Sequence, residues 1–152
     1  MILVSSCLAG ISCRYDATNQ FQEKIHLLVE QKKAVIACPE LLGGLTTPRE
    51  PAEIVGGTGE DVIHGNAKVI SRSGEDVTKQ YVEGAYQTLA IAQQVQATHI
   101  ILKENSPSCG SKKIYDGTFF GEKIAGEGVT TALLRLKGFQ VISEEEFTSV
   151  NY

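Results

Sequence analysis

Apolar residues along this chain fall into two patterns. Short runs without alternation occur at Ile2–Ser6, Ala34–Ala37 and His99–Leu102, and such runs predict strands covered on both faces. Ala67–Ser71, after a turn-like Gly65-Asn66, and Gln140–Ser143 are predicted as further strands. Between these runs apolar positions return with the helical period. Phe21 to Gln31 carries Phe21, Ile25, Leu28 and Val29 on one side. The longest predicted helix runs from a cap at Asp76 or Thr78 to about Gln94. Its stripe is Val82, Ala85, Tyr86, Leu89, Ala92 and Gln93. A third helix, Thr130–Lys137, is closed by Gly138.

The rest reads as connection. Leu41 to His64 holds two Gly-Gly pairs and two prolines, so it is predicted as one long loop, a length that points to a functional cover over a site. Tyr115 to Gly128 is a glycine-rich flap, and an acidic tail follows Ser143. Strands that alternate with helices predict an α/β fold. The expectation is a single-domain three-layer sandwich spanning residues 1–152, with a mostly parallel sheet of the Rossmann or flavodoxin type.

Composition narrows the function. The net charge is −4 with no arginine-rich run, which disfavours duplex nucleic acid as a partner. No apolar run approaches the roughly 20 residues of a membrane span, and the N-terminus lacks the order of a secretory signal. The expected location is therefore the cytoplasm, where cysteines serve metals, catalysis or packing rather than structural disulfides. The four are Cys7, Cys13, Cys38 and Cys109. Cys7, Cys38 and Cys109 each follow a predicted strand, and ligands of open parallel sheets bind at that edge.

Three sulfurs on one edge are compatible with zinc, an iron–sulfur cluster or a redox pair. Histidine does not favour zinc, since His26, His64 and His99 lack ligand-like spacing. Glu40 follows Cys38 by two positions and puts a carboxylate beside any metal there. Ser106 and Ser108 flank Pro107 ahead of Cys109, as turn residues or proton carriers. Gly10, Gly43, Gly44 and Gly110 would let backbone approach an inorganic core. Arg14, Arg49 and Lys103 offer positive charge.

Taken together, "CLAGISCRYD", "CPELLGGLTTPREPAEI" and "LKENSPSCG" resemble the signatures of the thiouracil desulfurase family, over roughly Ile2 to Phe147. The resemblance implies a compact α/β enzyme that binds a [4Fe-4S] cluster through three cysteines, leaving one iron not bound by cysteine. It implies non-redox removal of sulfur from thiolated uracil compounds of the 2-thiouracil or 4-thiouridine monophosphate type, a small-molecule substrate. Carried over by position, the cluster ligands are Cys7, Cys38 and Cys109, and the catalytic residues are Glu40 and Ser106. Cys13 is then left for packing or tuning near the cluster. Ala17 departs from the pattern, in which glycine often follows the tyrosine-aspartate pair. The rival from another class is a carrier that binds a metal or persulfide without catalysis, for which a carboxylate at Glu40 has little use.

Overall fold

The computed structural model describes residues 1–149. The elements in chain order are β1 (Ile2–Ser5), a 3₁₀ turn (Ser6–Ala9), α1 (Glu23–Glu30), β2 (Ala34–Ala37), α2 (Pro39–Leu42), β3 (Ala52–Val55), α3 (Gly59–Ile63) and β4 (Lys68–Ser71). They continue with α4 (Thr78–Gln94), β5 (His99–Leu102), β6 (Lys113–Tyr115), β7 (Lys123–Ala125), α5 (Val129–Leu136), β8 (Val141–Ser143) and α6 (Glu144–Ser149).

Among the described residues one sheet has four strands in the order β2-β1-β5-β8, and its pairings are all parallel. The expected α/β class and parallel sheet are therefore present. The apolar runs lack alternation because both faces are covered. Leu3, Ile100 and Leu102 enter one core with Ala85, Leu89, Leu133 and Leu134 of α4 and α5. Their neighbours Val4 and Ile101 point the other way, to Ile25 of α1 and Phe147 of α6. Chain order steps from β1 outward to β2, then back across β1 to β5. That reversal leaves a crevice at the carboxyl ends of the three strands.

Several connections hold more structure than their composition suggested. The segment from Leu41 to His64 is not one loop, because β3 pairs antiparallel with β4, Ala52 opposite Ser71, and α3 lies between them. Composition hid this strand: only Ala52-Glu53-Ile54-Val55 separates two turn-rich stretches. The flap beginning at Tyr115 is the tip of an antiparallel hairpin, β6 with β7. The acidic tail begins as α6, and residues 150–152 lie outside the described residues. Ala17 has a φ of +61°, in the left-handed region that favours glycine.

The stripe of α4 is rotated from its expected position. Its buried residues are Tyr81, Gly84, Ala85, Thr88, Leu89 and Ala92, while Tyr86 is exposed. The cause is a crossing of α2 over α4 that needs bare backbone on both sides. A Cβ on Gly43 would stand 1.9 Å from the Gln80 carbonyl oxygen, and one on Gly84 would stand 1.9 Å from that of Pro39. Gly43 thus serves helix packing rather than approach to an inorganic core. The close crossing brings Tyr81 against the start of α2.

Gly84→Ala is expected to destabilise the fold by about 2 kcal/mol or more, since overpacking against fixed backbone usually costs about 1–3 kcal/mol. Urea unfolding of the variant checks this, and an unchanged midpoint would contradict the glycine contact.

Candidate active site

The carboxyl ends of β1, β2 and β5 open onto a cavity of about 400 Å³. Its walls include Cys7 and Cys13 from the segment after β1, Cys38 and Glu40 at the start of α2, and Ser106 and Cys109 from the turn after β5. All five residues singled out by resemblance therefore meet in one place, together with Cys13. Arg14, Arg49 and Lys103 also reach it. His26, His64 and His99 do not, and His26 instead pairs with Glu30 at 3.0 Å. Gly10, Gly43, Gly44 and Gly110 are absent from the walls among the described residues.

The four thiols are free, and they are crowded. Cys13 hydrogen-bonds to Cys38 and to Cys7, and the Cys38 thiol donates to the Cys13 carbonyl at 4.0 Å. The bond from Cys38 favours a Cys13 anion, but the bond to Cys7 and burial outweigh it and lift the thiol to about 11. Cys38 is raised far above the ordinary thiol range by its hydrogen bond to Cys13 and by burial. Cys109 is raised by burial and then by the charges of Glu40 and Cys38. Left to themselves these groups stay protonated at neutral pH.

Glu40 is held by a buried ion pair in the cavity. Its side chain is 15% exposed and that of its partner Arg49 is 8% exposed. Arg49 directs Nε (3.0 Å) and Nη2 at the same carboxylate oxygen, Oε2. The Tyr81 hydroxyl donates to that oxygen as well, at 3.3 Å. The other oxygen, Oε1, receives the Ser106 hydroxyl alone among the described residues, at 3.4 Å. Burial works against the charge on Arg49, yet the neighbouring Glu40 carboxylate outweighs it and keeps the guanidinium firmly protonated. Burial, followed by the charge of Glu40, raises Tyr81 well above the usual phenol range, so it remains a neutral donor.

Ser106 both braces its turn and faces Glu40 across the cavity. Its oxygen accepts the backbone N–H of Ser108 at 3.0 Å and of Cys109 at 3.1 Å. Those two bonds occupy its lone pairs and aim its single proton at Glu40. Ser108, by contrast, is buried against the Thr130 hydroxyl at 2.8 Å, which removes it as a proton carrier into the cavity. Arg49 also donates to the Cys13 carbonyl at 3.1 Å, tying the carboxylate to the cysteine turn. Lys103 is engaged by Glu144 at 3.1 Å.

Two contributors escaped the sequence reading. Tyr81 was missed because the helix stripe was placed one position off. Glu104, 5% exposed, is the other. Its Oε1 accepts the N–H groups of Asn105 (3.1 Å), Ser111 (2.8 Å), Lys112 (3.2 Å) and Lys113 (3.4 Å), and its Oε2 accepts the Ser111 hydroxyl at 2.8 Å. The turn bearing Ser106 and Cys109 is wrapped around this carboxylate. Its only sequence signal is an acidic residue two positions past a buried strand.

The donor set fits a thiolate-bound cluster. Among the described residues no three His, Cys, Asp or Glu side chains form a group that could hold a single metal ion. A cluster asks for something different, because each thiolate meets its own iron.

These features define a class: an α/β protein with thiols, a clamped carboxylate and a hydroxyl gathered at the carboxyl edge of a parallel sheet. The family model described as 2-thiouracil desulfurase matches residues 2–146, and the chain belongs to that family. It is 63% identical over 150 residues to the uncharacterized protein YbbK of Bacillus subtilis (strain 168), covering 99% of each chain. It is also similar to a solved structure, the [4Fe-4S]-dependent thiouracil desulfidase TudS, with 42% identity and a TM-score of 0.85 over 97% of this chain and 93% of that one. Among the described residues no helix is long and apolar enough to cross a membrane.

Glu104 sets a pH test for the turn. Burial disfavours its charge, but the Ser111 hydroxyl and the backbone donors outweigh this and hold its pKa below the ordinary value. A depressed folded pKa contributes stability that is complete above the unfolded value and is lost as pH falls through the folded one. Glu104→Gln, which offers an N–H where donors converge, is expected to cost about 1–3 kcal/mol at pH 7. The gap from wild type in urea unfolding should narrow only below about pH 4.5; a gap independent of pH would contradict the ionised cradle.

Proposed function

We propose that this protein removes sulfur from thiolated uracil compounds, of the 2-thiouracil or 4-thiouridine monophosphate type, by non-redox hydrolysis. Water is consumed, and sulfide and a uracil-type product leave. The cluster is a [4Fe-4S] group held by Cys7, Cys38 and Cys109, with one iron not bound by cysteine. When bound, it supplies a soft Lewis-acidic iron suited to a thiocarbonyl sulfur.

The chain's own residues do the remaining work. Glu40 takes a proton from water through Oε1, the oxygen that faces Ser106 and the cavity. Arg49 and Tyr81 hold Oε2, which fixes the direction of the carboxylate. Ser106, with its lone pairs taken by the backbone N–H groups of Ser108 and Cys109, holds Oε1 in line with the substrate through its single proton. Cys13 packs behind Cys7 and Cys38 and ties their turns together. The strands that carry the thiols and the buried Glu104 cradle keep this arrangement from shifting during turnover.

The observation that supports this reading most directly is the unequal treatment of the two Glu40 oxygens, one locked by three donors and one turned to a hydroxyl in the cavity. A carrier of metal or persulfide has no need of an aimed base. The test is anaerobic reconstitution with iron and sulfide, then assay of sulfide release from 2-thiouracil and 4-thiouridine monophosphate. Release from neither would overturn the proposal.

Glu40→Gln is expected to retain iron and acid-labile sulfide while losing roughly 10²–10⁴-fold in rate, the usual range for a general base. Cys109→Ala is expected to lose the cluster's visible absorbance. A Glu40→Gln enzyme of undiminished rate would remove that residue from the mechanism.

A further inference from the structure

Of the groups around Glu40, only Tyr81 among the described residues has a ring, and that ring is buried in the core with its hydroxyl on Glu40. The outer wall of the cavity contains three aromatic residues, Tyr15, Tyr115 and Phe119. Two already have a cation over the ring: Arg14 lies 5.9 Å from the centre of Tyr15, and Lys123 lies 5.6 Å from that of Tyr115. Phe119 has neither a ring nor a cation against it among the described residues. It also belongs to neither hydrophobic core. Phe119 thus lines the cavity with no ring, cation or core-cluster partner among the described residues.

The fold takes trouble to put it there. Phe119 sits at the tip of the β6–β7 hairpin with a φ of +63°, a region that bulky residues rarely adopt. Glu53 on β3 is 8% exposed, and its Oε1 accepts the backbone N–H of Gly117 at 2.9 Å and of Phe119 at 3.2 Å. Gly117 closes the hairpin onto β3, where a Cβ would stand 2.7 Å from the Ile54 carbonyl oxygen. The tip is thus held through its backbone by a buried carboxylate. The adjacent Phe120 points outward at 84% exposure.

We propose that Phe119 is the stacking platform for the pyrimidine ring of the substrate and that Glu53 is the residue that positions it. This rests on the desulfuration reading above. Planar rings gain from offset contact with an aromatic face beyond simple burial, and that contact tolerates changes at the ring's edge. The platform therefore contributes binding rather than chemistry.

The experiment is calorimetric titration of 2-thiouracil into cluster-loaded protein, run beside steady-state sulfide release. Phe119→Ala is expected to weaken binding and raise KM by about tenfold, within the range seen for losing a base–aromatic stack. Iron content and kcat should stay near wild type. Phe119→Tyr should restore affinity, whereas Phe119→Leu, apolar but without an aromatic face, should not. Phe120→Ala should bind like wild type. Glu53→Gln should reproduce the raised KM and speed hydrogen exchange at the Gly117 and Phe119 amides.

Wild-type affinity in both Phe119→Ala and Phe119→Leu would overturn the platform and leave the desulfuration reading intact. Wild-type protein that binds 2-thiouracil with the expected contrast at Phe119, yet releases no sulfide, would uphold the platform and overturn the reaction. Absence of binding by wild-type protein would overturn the platform.

Discussion

One guanidinium governs the geometry of the cavity. Arg49 directs two nitrogens at Glu40 Oε2 and a third at the Cys13 carbonyl, with the Thr46 carbonyl and Thr47 hydroxyl sharing that third nitrogen. Three separate stretches of chain meet on it: the cysteine turn after β1, the start of α2, and the segment before β3. Both charged side chains are almost wholly removed from water. Losing one partner of such a pair typically costs about 3–5 kcal/mol, because the other charge is stranded. A lysine would keep the charge but lose the planar fork that reaches two segments at once. The pair therefore serves geometry more than net stability.

The thiols impose a second constraint, which acts in the opposite direction. Four of them crowd a poorly hydrated pocket beside a carboxylate, and burial with mutual contact keeps each of the three shifted ones protonated. A protein that brought them together only for packing would gain little from placing Glu40 among them, since its charge raises them further. The rigid frame around them is assembled from several devices. Gly43 and Gly84 let α2 lie directly on α4, and Glu104 gathers the turn that carries Ser106 and Cys109.

Much of this was legible in the sequence, for identifiable reasons. Strands buried on both faces leave unbroken apolar runs, so β1, β2 and β5 were found within a residue of their ends. Cysteines in the turns that follow those runs had to share an edge once the sheet was parallel. What escaped depended on long-range contact. Residues Ala52–Val55 look like loop until Lys68–Ser71 pairs with them. Tyr81 looks more exposed than Tyr86 until the Gly43–Gly84 crossing fixes the rotation of α4. Glu104 is an ordinary acidic residue until five donors close around it. A local pattern encodes which face an element buries, but contacts between distant glycines decide how two helices meet.

The division of the cavity follows from these facts. The inner end is built from strand termini and a buried ion pair, so its groups are held by elements that cannot move separately. The outer wall is a hairpin tip fastened to β3 through Glu53 and close backbone contact at Gly117. A reaction at a carbon–sulfur bond needs the water, the base and the sulfur site fixed to within a fraction of an ångström, and the inner end has that rigidity. Ring binding needs a flat apolar surface and tolerates small shifts, which a hairpin tip provides. Under the proposed reaction, the demanding task therefore falls to the sheet edge and ring binding to the hairpin tip, on separate elements, so that a change at the tip leaves the groups around Glu40 in place.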